Sequence, residues 1–74
     1  KFKMAKRSVV AKRPLKAGEI LTEDMITTKR PCLENSVPAI DYFYVLGLPL
    51  TEDVLIDEIL IKKQIPAYYE SRSI

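Results

Sequence analysis

Leu15-Lys16-Ala17-Gly18-Glu19-Ile20-Leu21-Thr22-Glu23-Asp24-Met25-Ile26 reads apolar, turn, acid, two apolars, polar turn, apolar, and the same order returns over residues 54–65. At a shift of 39 residues Leu15 falls on Val54, Glu19 on Glu58, Ile20 on Ile59, Leu21 on Leu60 and Ile26 on Ile65. A unit this short cannot bury its own apolar face, so two equivalent β-loop units sharing one core in a pseudo-twofold arrangement are expected. The core this predicts is Val9, Leu15, Ile20, Leu21, Ile26, Leu46, Val54, Ile59, Leu60 and Ile65.

Working outward, Ser8-Val9-Val10-Ala11-Lys12 is a β-prone run closed by Pro14, which has no N–H for a ladder bond. Gly18 supplies the positive φ of the turn that follows. Thr22-Glu23-Asp24-Met25 reads as one helical turn whose threonine hydroxyl accepts from backbone N–H groups, too short to stand alone. Ile26-Thr27-Thr28-Lys29-Arg30 is the next β-prone run, stopped by Pro31, and residues 32–38 have no periodicity and read as a surface loop. Residues 38–47 predict a short helix, proline near its start and Gly47 just past its end, with Ile40, Phe43 and Tyr44 facing the core as packing residues.

A chain of 74 residues holds one domain, since at this size only about 60% of the unfolded surface is buried. Its 47% hydrophobic and 30% charged residues belong to a folded globular protein rather than a disordered one. Cys32 is the only cysteine, which rules out an internal disulfide and suits a reducing cytoplasm. No apolar run suggests a membrane span or signal peptide, and Lys1 in place of a start methionine is expected of a segment of a longer protein or of a trimmed end. Net charge is +2, yet seven basic residues (Lys1, Lys3, Lys6, Arg7, Lys12, Arg13, Lys16) precede the first acid, Glu19. The basic arm fits a solvated segment or a linker that contacts a partner domain; without interleaved aromatics or a recognised motif it does not point to nucleic acid.

With no histidine, the commonest general base and metal ligand is missing. Cys32 has no evident base and reads as an incidental thiol, for which Arg30 would at most lower the pKa. The acidic pairs Glu23-Asp24, Glu52-Asp53 and Asp57-Glu58 are sequence neighbours in turns, not a converging oxygen cage. Two glycines, Gly18 and Gly47, make no phosphate loop. Arg30 stands out, held between a strand and Pro31, where its planar donor fork can project toward a carboxylate, phosphate or amide oxygen.

The run Arg7-Ser8-Val9-Val10-Ala11-Lys12-Arg13-Pro14-Leu15-Lys16-Ala17-Gly18-Glu19-Ile20-Leu21-Thr22-Glu23-Asp24-Met25-Ile26-Thr27-Thr28-Lys29-Arg30-Pro31 closely resembles the antifreeze-like SAF domain at the C-terminus of sialic acid (N-acetylneuraminate) synthases. The likeness continues more weakly through Val45-Leu46-Gly47 and Asp57-Glu58-Ile59-Leu60. It implies a mostly β fold with short helical turns, the β-clip, over residues 8–66, preceded by a basic linker over 1–7 and followed by a C-terminal tail over 67–74. It also implies a parent enzyme whose TIM barrel, absent here, uses a divalent metal to condense phosphoenolpyruvate with an N-acylated aminosugar. In such a domain-swapped dimer the SAF domain caps the neighbouring subunit's active site. By motif, Arg30 in Lys29-Arg30-Pro31 is the substrate-binding residue, on the sugar's N-acyl group.

The family's glycine-rich continuation is replaced here by Cys32-Leu33-Glu34-Asn35, and Glu34 is a candidate competitor for Arg30. SAF modules of pilus or flagellar assembly factors are the alternative. Type III antifreeze proteins, which share the fold and the Ser-Val-Val-Ala opening, are a further one, opposed by the hydrated charges of Arg13, Lys16, Glu19 and Asp24. The isolated chain is expected to condense no phosphoenolpyruvate with any aminosugar; a discontinuous assay for released phosphate checks this, and turnover above the no-enzyme rate contradicts it.

Overall fold

The computed structural model describes residues 2–3 and 6–72; Lys1 of the basic arm and the end of the tail, residues 73 and 74, lie outside the described residues. Regular structure is sparse. Strand β1 (Phe2–Lys3) pairs antiparallel with β4 (Cys32–Leu33), and β2 (Ser8–Ala11) with β3 (Ile26–Lys29), in the register Ser8 to Lys29 and Ala11 to Ile26. Helix α1 (Tyr42–Val45) and helix α2 (Pro66–Arg72) are short, and single 3-10 turns occupy Glu23–Met25, Ala39–Asp41 and Lys62–Gln64.

Because no strand among the described residues exceeds four residues, many buried peptide groups find partners across the chain outside the short ladders. At the centre three residues close a ring: Val9 N–H donates to Val37 O (2.8 Å), Val37 N–H to Leu60 O (3.0 Å), and Leu60 N–H to Val9 O (2.9 Å). All three are 0% exposed. Around them lie Ala11, Leu15, Leu21, Met25, Ile26, Val45, Leu50, Val54, Ile65 and Tyr68.

Leu15 and Val54 exchange peptide hydrogen bonds of 2.8 and 2.9 Å, which sets the two loop units directly against each other. Bonds made by one unit have counterparts at the same shift. Gly18 N–H reaches Leu50 O as Asp57 N–H reaches Ala11 O, and Lys12 N–H reaches Met25 O as Thr51 N–H reaches Gln64 O. Both turns need a left-handed residue: Gly18 has φ 94° at no steric cost, and Asp57 φ 69°, a region that aspartate tolerates better than most side chains.

The structure departs from the sequence reading in several places. Ile20 is not core but 51% exposed, because it alternates with buried Leu21 on an edge bridge to Pro49. Ile40, Phe43 and Tyr44 are 88%, 75% and 46% exposed, whereas Asp41 and Val45 point inward. The register is set by Asp41, whose carboxylate accepts a 2.6 Å hydrogen bond from the buried Tyr68 hydroxyl. That bond also draws in the region read as a tail: residues 67–72 belong to α2, and Tyr68 is 1% exposed. Residues 32–38 hold strand β4 and the buried Ser36 and Val37 rather than only a surface loop, and Phe2 and Lys3 of the basic arm are its strand partner.

The Thr22 hydroxyl donates to the Asp24 carboxylate instead of accepting from the backbone, and the turn is closed by Met25 N–H on Thr22 O. This hydrogen bond, assisted by Arg13 and Lys12, holds the Asp24 carboxyl below its ordinary value. A lowered carboxyl favours the folded state above the ordinary carboxylate range and loses that contribution as the pH falls through its own value.

Leu60→Ala is expected to cost about 2–5 kcal/mol, since it opens a cavity beside the central ring, whereas Ile20→Ala should stay within about 1 kcal/mol. Urea denaturation of the two variants measures this; equal losses contradict the placement of Ile20 outside the core.

Candidate functional site

Arg30 occupies the step between the end of β3 and the start of β4, and its side chain is exposed. Its neighbour Lys29 is engaged, with Nζ 3.1 Å from the Asp57 carboxylate. Among the described residues Arg30 has neither an ion-pair nor a hydrogen-bond partner, so Glu34 does not hold it. A guanidinium in this position keeps all five donors available for an oxygen-bearing ligand.

The loop beneath Arg30 is fastened from inside. Ser8 is 0% exposed and Ser36 1% exposed; Ser8 Oγ donates to Pro31 O at 2.8 Å, and the two hydroxyl oxygens lie 2.8 Å apart. Ser36 Oγ is also 2.8 Å from Leu33 O, which already accepts the Ser36 N–H at 3.2 Å. Each hydroxyl owns one proton. Two protons therefore serve three contacts: Ser8 donates to Pro31 O, and the Ser36 proton lies between Leu33 O and the Ser8 oxygen. Two buried serines, one opening β2 and one ahead of the ring residue Val37, thus fix both sides of the turn that carries Arg30. The Arg30–Pro31 peptide is cis.

Cys32 is half-buried, with Sγ 3.8 Å from Leu33 O and from Ser36 Oγ, weak contacts with no base among them. Among the described residues no three His, Cys, Asp or Glu side chains are placed to hold a metal ion. Among the described residues no helix is long and apolar enough to cross a membrane. Arg13 and Asp24 are exposed and Glu19 is half-buried, and they form long ion pairs of 3.9 and 3.8 Å, giving this side a charged character.

Sequence reasoning singled out Arg30 and missed the two serines beneath its turn. Ser8 was legible only as the first residue of a β-prone run, and Ser36 stood in a stretch with no periodic signal. Nor did the pattern show that Ile40 and Phe43 face outward, because helical spacing in so short an element does not say which side meets the core.

A compact β-rich chain with crossed loop units and a locked arginine turn has clear relatives. The SAF domain family model matches residues 6–66, and the chain belongs to that family. It is 39% identical over 57 residues to the N,N'-diacetyllegionaminic acid synthase of Campylobacter jejuni, a match over 77% of this chain and 16% of that protein. The chain thus corresponds to a small part of the enzyme it resembles. Among solved structures it is similar to an antifreeze-protein-like domain of human N-acetylneuraminic acid phosphate synthase, with a TM-score of 0.70 and 33% identity over 78% of this chain and 72% of that one. The fold is the β-clip of antifreeze-like domains, and the chain is of the kind found in sialic acid synthase-type proteins.

If the serine pair acts as a unit, Ser8→Ala and Ser36→Ala should each cost about 1–3 kcal/mol, and the double variant clearly less than their sum. A double-mutant cycle in urea measures the coupling; additive losses contradict the shared proton chain.

Proposed function

We propose that this chain is the aminosugar-binding cap of a sialic acid synthase-type enzyme, which closes over the active site of the neighbouring subunit's barrel and places Arg30 on the sugar's N-acyl oxygen. The observation that carries the reading is Arg30 itself, exposed and unpartnered on a turn fastened by two buried hydroxyls. Membership of the SAF family and the likeness to a legionaminic acid synthase support the enzyme class. The name of the Campylobacter relative denotes a diacetylated acid, which accords with acyl recognition.

The chemistry of condensation, phosphoenolpyruvate binding and the divalent metal belong in this reading to the barrel. What the domain supplies is position. Arg30 donates to the acyl carbonyl through a charge-assisted hydrogen bond, and a preset turn spares the entropy of ordering the side chain's base. Fixing the acyl end orients the reacting end of the sugar in the barrel, and the cap displaces water from around it.

A charged donor to a carbonyl contributes on the order of 1.5–3 kcal/mol, so Arg30→Ala in the full-length enzyme should lower kcat/KM for the aminosugar about tenfold or more. KM for phosphoenolpyruvate should change little. Arg30→Lys should recover only part, because a point charge lacks the planar fork. Steady-state kinetics measure all three, and aminosugar KM and kcat unchanged in Arg30→Ala would reduce Arg30 to a surface charge.

A further inference from the structure

We infer that the face bearing Ile40 and Phe43 is a second contact surface of the domain, docking on an apolar protein surface bordered by carboxylates in the catalytic domain it serves. This rests on the capping reading but concerns a different part of the molecule from Arg30.

Ile40 and Phe43 are 88% and 75% exposed, although their chain neighbours Asp41 and Val45 are buried. They are not loosely placed. Asp41 and Val45 anchor the same helical turns in the core, the Ala39 N–H donates to Arg7 O at 2.8 Å, and the Phe43 ring packs edge-on against Tyr42 with centroids 5.0 Å apart. Rigid aromatic and aliphatic side chains presented this way are the usual anchors of a protein interface.

Two shallow grooves flank them. One is lined by Lys12, Thr27, Thr28, Ala39, Tyr42 and Phe43 among others, the second by Lys6, Arg7, Pro38, Ala39 and Ile40. No carboxylate lines either groove, although the chain carries ten acids. The carboxylates nearest the other cations are spent elsewhere, with Glu19 and Asp24 on Arg13 and Asp57 on Lys29. Among the described residues Lys6, Arg7 and Lys12 form no ion pair, Lys12 acting on Asp24 only at longer range, so the apolar centre has a basic rim. Charge complementarity then selects the occupant: a surface with carboxylates around an apolar centre. It disfavours a second copy of this face, which would bring cation against cation.

The test is photo-crosslinking in the full-length protein, with Phe43→p-benzoylphenylalanine and peptide mass spectrometry. Crosslinks to catalytic-domain peptides with neighbouring Asp or Glu are expected. They should fall at least several-fold when Lys6, Arg7 and Lys12 are changed together to Gln. Crosslinks only to another SAF domain, or none outside the domain, overturn the inference. A companion Ile40→Ser/Phe43→Ser variant should keep its unfolding temperature, because both side chains are exposed, yet lose several-fold in kcat/KM. A large drop in that temperature would instead make the two residues structural and overturn the inference. Failure here is distinguishable from failure of the capping reading: the Arg30 variant reports on the sugar contact, and the crosslink on this face alone.

Discussion

The closed ring of hydrogen bonds among Val9, Val37 and Leu60 is the constraint on which the rest depends. It joins strand β2, the segment behind the arginine turn and the second loop unit, and all three residues are without exposure. In a chain this short the apolar area is small, and three buried peptide groups left unmade would each cost a substantial share of the net stability. Satisfying them together forces the sequence-distant segments into one arrangement. The turn that carries Arg30 is tied to that ring, because Ser8 precedes one member of the ring and Ser36 precedes another.

This explains how a domain with little regular structure can serve as a precise support. Ser8 and Ser36 stand one residue from Val9 and Val37, so their hydroxyls are delivered to the carbonyls of Pro31 and the neighbourhood of Leu33 by the same bonds that close the core. Arg30 projects from a frame whose other side is the hydrophobic centre. Among the described residues Arg13 and Lys29 are met by carboxylates of the loop units, whereas Arg30, Lys6, Arg7 and Lys12 form no ion pair.

Much of the frame was legible because it is written in residues with strong local preferences. Pro14 and Pro31 end the β-prone runs, Gly18 and Gly47 take positive φ where turns were expected, and the recurrence of Leu15 at Val54 marks two positions that bond to each other. What was not legible depends on faces chosen by tertiary contacts. Ile20 and Leu21 are both apolar, and only the bridge to Pro49 decides which of them is covered. Asp41 rather than Ile40 or Phe43 turns inward because Tyr68, far along the chain, offers it a hydroxyl. As for the site, the sequence pointed to Arg30 through its position beside Pro31 and its resemblance to a family motif, while the serine pair beneath it carries no motif at all.

The central claim is that Arg30 reaches the acyl group of a sugar held in the neighbouring subunit's barrel. The most direct measurement is a crystal structure of the full-length enzyme with the aminosugar bound. The account predicts a guanidinium nitrogen of Arg30 about 3 Å from the N-acyl oxygen, with the sugar ring held by the other subunit. An acyl oxygen contacted only by barrel residues, with Arg30 in solvent or paired to a barrel carboxylate, would contradict it.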